Sequence, residues 1–193
     1  MDKRTHIILT ALSLFYQKGI HSVGINEIIS VAGVAKKTMY HHFASKDELL
    51  LACLSERHNR FLNWLTHATS KLTTVEEFKV ALISCHEAWF NSEVTELGDF
   101  NGCLFINTAA EFADPTSPIN QACKEHKIAV QQLIKQRLSA CNNMESSQLD
   151  SHSHYLMTLV EGMICQAKLV GIKQFPHLKQ RANKKAAQWP LSV

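Results

Sequence analysis

The sequence predicts an all-α protein, on the scarcity of helix breakers, the spacing of apolar residues and the placing of caps. Only four prolines occur in 193 residues, none before Pro115, and the seven glycines are scattered. Good helix formers (Leu, Ala, Lys, Gln, Glu) fill the stretches between them. Hydrophobic residues make up 46% and charged residues 19%, the composition of a globular chain rather than a disordered one.

Ile8, Ala11, Leu12 and Phe15 stand at i, i+3, i+4 and i+7, so Arg4 to Lys18 is expected to be an amphipathic helix stopped at Gly19. Ile25, Ile28, Ile29 and Ala32 repeat that spacing in a helix of about eight residues. A short third helix follows from Lys36 to about His42. Two short helices around Gly33, flanked by apolar Ile29 and Met39, make a helix-turn-helix, and the glycine supplies the left-handed residue such a turn needs. Ser45 to Glu48 spells a capping box, in which Ser45 caps the next helix and Glu48 reaches back to it.

From Asp47 a long helix carries Leu50, Cys53, Leu54, Phe61 and Leu65. Val75 to about Ser92 is a second, with Phe78, Leu82, Cys85 and Trp89 at helical spacing. A loop over residues 97–102 leads to a helix from Cys103 to Phe112, apolar almost all round and therefore expected to be buried. Asp114 to Pro118 breaks the chain before a helix that reaches about Cys141. Asn142 to His154 is polar and reads as a flexible connection. Leu156, Leu159, Val160, Met163 and Ala167 then form one apolar stripe ending near Gly171, and Pro176 can begin a last helix bearing Leu178, Ala182 and Ala186. The total is about nine helices. The expected division is a helix-turn-helix domain over 1–46 and a larger helical domain over 47–193.

Charge separates the same two parts. Residues 1–46 hold six cations against two carboxylates, a net +4 out of +3 for the whole chain. A basic head on a near-neutral body suits a polyanion-binding module. The third helix exposes Lys36, Lys37, Thr38, Tyr40, His41 and His42. Lysines neutralise phosphates, while Thr, Tyr and His bring directional hydrogen bonds and apolar contact with thymine methyls. Phe43 is expected to pack beneath this helix and Tyr40 to face nucleic acid. Lys46, beside the amides that open the next helix, offers a further phosphate contact.

The pattern Phe15, Gly19, Ile25-x-Glu27-Ile28, Ala32-Gly33-Val34-Ala35-Lys36-Lys37-Thr38-Met39-Tyr40-His41-His42-Phe43-x-Ser45-Lys46-Asp47-Glu48-Leu49 resembles the N-terminal domain of TetR/AcrR-family transcription regulators. Val23-Gly24 stands where the family often has two threonines, and Ala35 where a capping serine is common. The resemblance implies base or phosphate contacts from Lys36, Lys37, Thr38, Tyr40 and His42, and a phosphate contact from Lys46. It implies double-stranded DNA with a palindromic operator as partner. It also implies a homodimer formed through the last two helices, with Leu156, Leu159, Val160, Met163 and Ala167 in the interface. The stripe alone would equally serve an internal core. A two-fold dimer has a physical motive, since one recognition helix reads too few base pairs.

Gly102-Cys103-x-x-x-Asn107-x-x-x-Glu111 resembles a pattern of one subgroup of that family, and Gln166-Ala167-Lys168 is similar to its redox- and electrophile-responsive members. Cys103 at a helix start is placed where the dipole favours a thiolate, so it is a candidate sensor, with Lys168 as its cation. In the plainer alternative Cys103 is a small buried hydrophobe and Lys168 reaches solvent. An apolar effector would lie near Trp89, Phe105 and Phe112.

No Gly-rich phosphate loop, nucleophile elbow or paired-His zinc helix is present, which argues against an enzyme. No cofactor is expected. The six cysteines contain no C-x-x-C pair, so neither a disulfide scaffold nor a zinc site is expected; Cys123 with His126, and His152 with His154, are the nearest approaches to metal spacing. The charge-free stretch Thr5 to Gln17 is shorter than the roughly 20 apolar residues that span a bilayer, and no signal peptide is evident. A cytoplasmic regulator is the leading expectation. A helical adaptor without DNA affinity is the alternative, separable by salt-dependent binding to duplex.

Overall fold

The computed structural model describes residues 2–141 and 145–171. Eight α-helices are seen among them and no strand: α1 Lys3–Lys18, α2 Ile25–Ala32, α3 Lys36–His42, α4 Lys46–Ala68, α5 Val75–Phe90, α6 Leu104–Glu111, α7 Pro118–Cys141 and α8 Ser146–Leu169. The fold is all-α, as the sparse breakers require. The segment from Pro176 expected to form a further helix lies outside the described residues. The chain divides into two compact units, one of residues 1–61 with 103–129, the other of 62–102 with the described residues from 130 onward.

In the first unit local contacts set the helix ends. Asp2 accepts the Thr5 amide at 3.0 Å and the Thr5 hydroxyl at 2.7 Å, opening α1. Gly19, at φ +85°, ends α1, and its amide bonds the Phe15 carbonyl. Gly33, at φ +63° and ψ +31°, takes the left-handed turn between α2 and α3. Neither α2 nor α3 has a side-chain N-cap, which follows from Gly24 and Ala35 at those positions. Ile7, Ala11, Phe15, Ile28, Met39, Phe43, Leu49 and Leu50 close a core in which none is more than 2% exposed. Ser45 caps α4 through the Glu48 amide at 3.1 Å, while the Glu48 carboxylate reaches one residue further back than expected, to the Ala44 amide at 2.7 Å.

In the second unit Thr74 and Glu77 form a reciprocal capping box that starts α5. Trp64, His86, Trp89, Phe90 and Phe100 gather into one ring cluster, with Phe100 edge-on to Trp89 at 5.0 Å. α8 packs against α5.

Two expectations are corrected. The polar stretch taken as a connection over 142–154 is helical from Ser146, so α8 begins two turns earlier. Polar side chains there fold back on their own helix: Ser151 and His152 donate to the carbonyls of Ser147 and Gln148, and His154 to that of Asp150. The Lys135–Asp150 ion pair at 2.5 Å and the fully buried Ser153 bind this turn to α7 and to the core. The helix expected to be buried all round, α6, buries Leu104, Phe105 and Thr108 but leaves Ile106 44% exposed.

Candidate nucleic-acid interface and thiol site

Burial of Met39 and Phe43 fixes how α3 sits. With those two side chains inward, helical geometry turns Lys36, Lys37, Tyr40 and His41 outward, while Thr38 and His42 are half-buried. Tyr40 is 47% exposed, a large ring left in water on a seven-residue helix. The Lys36 ammonium lies 5.9 Å from its ring centroid, and the rings of His41 and His42 meet edge-on at 5.1 Å. Cations, a phenol and imidazoles thus share one exposed face. Arg4, which sequence reasoning did not single out, has its guanidinium 5.2 Å from the Phe43 ring, next to the end of α3. Its presence in the +4 head was the available signal.

Lys46 is placed differently from the other cations. Its ammonium donates to the Ile20 carbonyl at 2.6 Å and lies 5.8 Å from the Phe15 ring centroid. In this arrangement it holds the head together. A phosphate would have to compete with that carbonyl.

Cys103 is the N-cap residue of α6 and is 6% exposed. Its sulfur accepts from the Lys127 ammonium of α7 at 3.2 Å. Lys168, the cation suggested by resemblance, donates to Asn101 Oδ1 in the second unit. Cys123 lies one turn before Lys127 on α7; burial, then the Cys103 sulfur, opposed by Lys127, pushes its thiol up to about 11. Burial raises Cys53 beyond the range in which it would ionise and Cys85 to about 12. Phe105 stacks on the His126 ring at 3.5 Å and 9°, and His126 shares a 3.2 Å hydrogen bond with His58 through their Nδ1 atoms. Burial first, then the charges of Lys127, His58 and Arg57, push His126 down to about 2, so it is neutral. Phe112 stacks on His21 at 4.9 Å, and Trp89 lies in the ring cluster of the second unit.

The α8 stripe is core within the single chain. Leu156, Val160, Met163 and Ala167 are each 6% exposed or less and only Leu159 is half-buried, whereas Tyr155 and Leu169 are 38% and 77% exposed. Among the described residues no group of three His, Cys, Asp or Glu side chains could hold a metal ion. His152 and His154 each bond a carbonyl of their own helix instead. No described helix is long and apolar enough to cross a membrane.

The family model of bacterial regulatory proteins of the tetR family matches residues 7–53, which run from α1 into α4. The transcriptional repressor NemR of Escherichia coli K12 is 28% identical over 138 residues, covering 71% of this chain and 67% of NemR. A TetR-family transcriptional regulator from Streptomyces coelicolor shares the fold at TM-score 0.75 and 27% identity, over 86% of this chain and 84% of its own. The reduced form of E. coli NemR, at 23% identity, superposes over 94% of both chains with a TM-score of 0.75. The named relatives are a transcriptional repressor and a transcriptional regulator. Over residues 7–53 the chain thus resembles the tetR family of bacterial regulatory proteins, and its described helices share the fold of a TetR-family transcriptional regulator.

Proposed function

We propose that the protein is a homodimeric repressor that reads a palindromic operator through α3 and leaves it when Cys103 reacts with an oxidant or electrophile. Residues 1–46 then form the DNA-binding part and 47–193 the effector-responsive and dimerising part. The exposed Lys36, Lys37, Tyr40 and His41 support the first half of this reading, with Thr38 and His42 at the edge of the same face. The similarity to a named repressor supports the sign of regulation.

The observation that carries the second half is the 3.2 Å approach of the Lys127 ammonium to Cys103 Sγ. The sulfur thus lies beside a cation, and the thiolate of a cysteine is the nucleophile that attacks oxidants and electrophiles. Dimerisation through α8 is supported by its exposed Tyr155 and Leu169, whose spacing places them on one side of the helix with Gly162.

The test uses duplex DNA from upstream of the gene. Hypochlorite or a quinone is expected to release wild-type protein, and a reductant to restore the oxidised protein, while Cys103→Ser stays bound. Lys127→Ala is expected to react more slowly and so to need a higher dose for release. Equal release of wild type and Cys103→Ser would eliminate the thiol trigger and leave an apolar effector on the rings of Trp89, Phe105 or Phe112 as the signal.

A further inference from the structure

Around Cys103 the first unit gathers positive charge from three helices. Lys127 of α7, half-buried, brings its ammonium to 3.2 Å from the sulfur. Arg57 of α4 is 5% exposed, and its guanidinium lies 4.8 Å from the Tyr16 ring centroid. Burial lowers the pKa of Arg57, whereas its interactions with Tyr16 and with the Cys103 sulfur raise it, and the guanidinium stays charged throughout. Cys103 caps α6, so the positive end of that helix falls at the same sulfur. His126 responds to this field as well: after burial, the charges of Lys127, His58 and Arg57 all act to keep its ring neutral.

The surfaces beside these cations are flat and apolar. Phe105 stacks on the His126 ring at 3.5 Å, and Phe61 meets that ring edge-on at 5.3 Å. Tyr16, His58 and Lys127 are half-buried and mark where the cluster reaches the surface. Burying one cation beside another is costly, and an anion held between them offsets that cost. A guanidinium is a planar fork that matches a carboxylate, and a lysine adds a point charge to the same group. The rings suit a short carbon skeleton attached to that carboxylate. A neutral electrophile of the same shape gains nothing from the cations.

We propose that the Cys103 site selects electrophiles that carry a carboxylate beside the reactive carbon, such as conjugated unsaturated acids, with Arg57 and Lys127 holding the carboxylate. This rests on Cys103 being the reacting thiol, as proposed above, and names the class of electrophile it meets. The Cys103 sulfur gives its proton to water and bonds the β-carbon of the acid. The π pair moves to the α-carbon, which takes a proton back from water, so neither oxidant nor reductant is consumed. In water the charge of the carboxylate makes such an acid a poor acceptor. Pairing it with two cations offsets that charge and speeds the attack at this sulfur.

The experiment measures alkylation of Cys103 in the full chain by iodoacetate and by iodoacetamide, two reagents alike in shape and different in charge. Mass spectrometry of the Cys103 peptide gives the two rates, and 2-mercaptoethanol, a neutral thiol, is the reference. Taking the ratio of the two rates cancels both the thiolate fraction and the access to the sulfur. The iodoacetate-to-iodoacetamide ratio at Cys103 is expected to exceed that of the reference about tenfold, and Lys127→Gln and Arg57→Gln each to lower it by about threefold or more. If Arg57→Gln fails to fold, Lys127→Gln decides alone. A wild-type ratio within about twofold of the reference, or below it, would overturn the selection and leave Cys103 as a trigger for other electrophiles. A raised ratio that survives the folded variants unchanged would overturn the role of these cations. A Cys103 that neither reagent modifies in the folded protein would instead reject the thiol trigger, and the selection with it.

Discussion

At the scale of single residues, chemistry is decided by which side chains a helix pair brings together, and that was only partly legible. Cys103 was marked in the sequence by its position after Gly102 at a helix start. Its cation was not, because Lys127 is 24 residues away on α7 and a lysine on an amphipathic helix looks like any solvated charge. Glu111 and His21 are 90 residues apart, and only packing could pair them. His126 was noted for its spacing to Cys123, yet it is a buried neutral ring between Phe105 and His58. Its consequence is a pH dependence. Its value in the folded protein, about 2, lies below the ordinary 6.5, so below pH 6.5 the unfolded chain binds the extra proton. Stability attributable to His126 is therefore full above pH 6.5 and is lost as the pH falls from there, at no more than about 1.4 kcal/mol per pH unit. Urea unfolding at about pH 7, 6 and 5 should show a shallower decline for His126→Phe than for wild type. Parallel declines would show that other groups set the acid limb.

At the scale of elements, the short helices of the head were the most legible because their ends carry chemistry. Gly19, Gly33 and Ser45 each mark a boundary, and the structure uses all three as a cap or turn; the Asp2 cap of α1 emerges only in the structure. The long helices were less so. α8 opens on a run of Ser, Gln, Asp and His residues whose side chains bond their own backbone, which reads as a loop in sequence and stands as a helix through its tertiary packing. Its apolar stripe is mostly buried within the single chain, and periodicity alone cannot say whether such a stripe meets the chain's own α5 or a second copy. Val160 is 1% exposed in the single chain, so Val160→Asp is expected to destabilise folding by several kcal/mol, a cost that calorimetry or urea unfolding reads directly. Leu169, 77% exposed, gives the contrasting variant. Leu169→Glu should leave the monomer fold intact and halve the mass seen by light scattering. A wild-type monomer at micromolar concentration would contradict the dimer.

At the scale of the whole molecule, the basic head seen in the sequence corresponds to a helix-turn-helix whose α3 exposes Lys36, Lys37, Tyr40 and His41. The helices and turns of the head were legible because local spacing sets them, whereas the bond of Lys46 to the Ile20 carbonyl was not. Nor were the surroundings of Cys103, because they depend on which distant helices pack together. The central claim is that α3 reads DNA sequence, and selection of bound duplexes from a random pool tests it most directly. Wild type is expected to enrich an inverted repeat, and Tyr40→Ala or Thr38→Ala to shift the enriched bases, at roughly 1–3 kcal/mol for each base no longer read. A wild-type protein that enriches no palindrome would contradict the account.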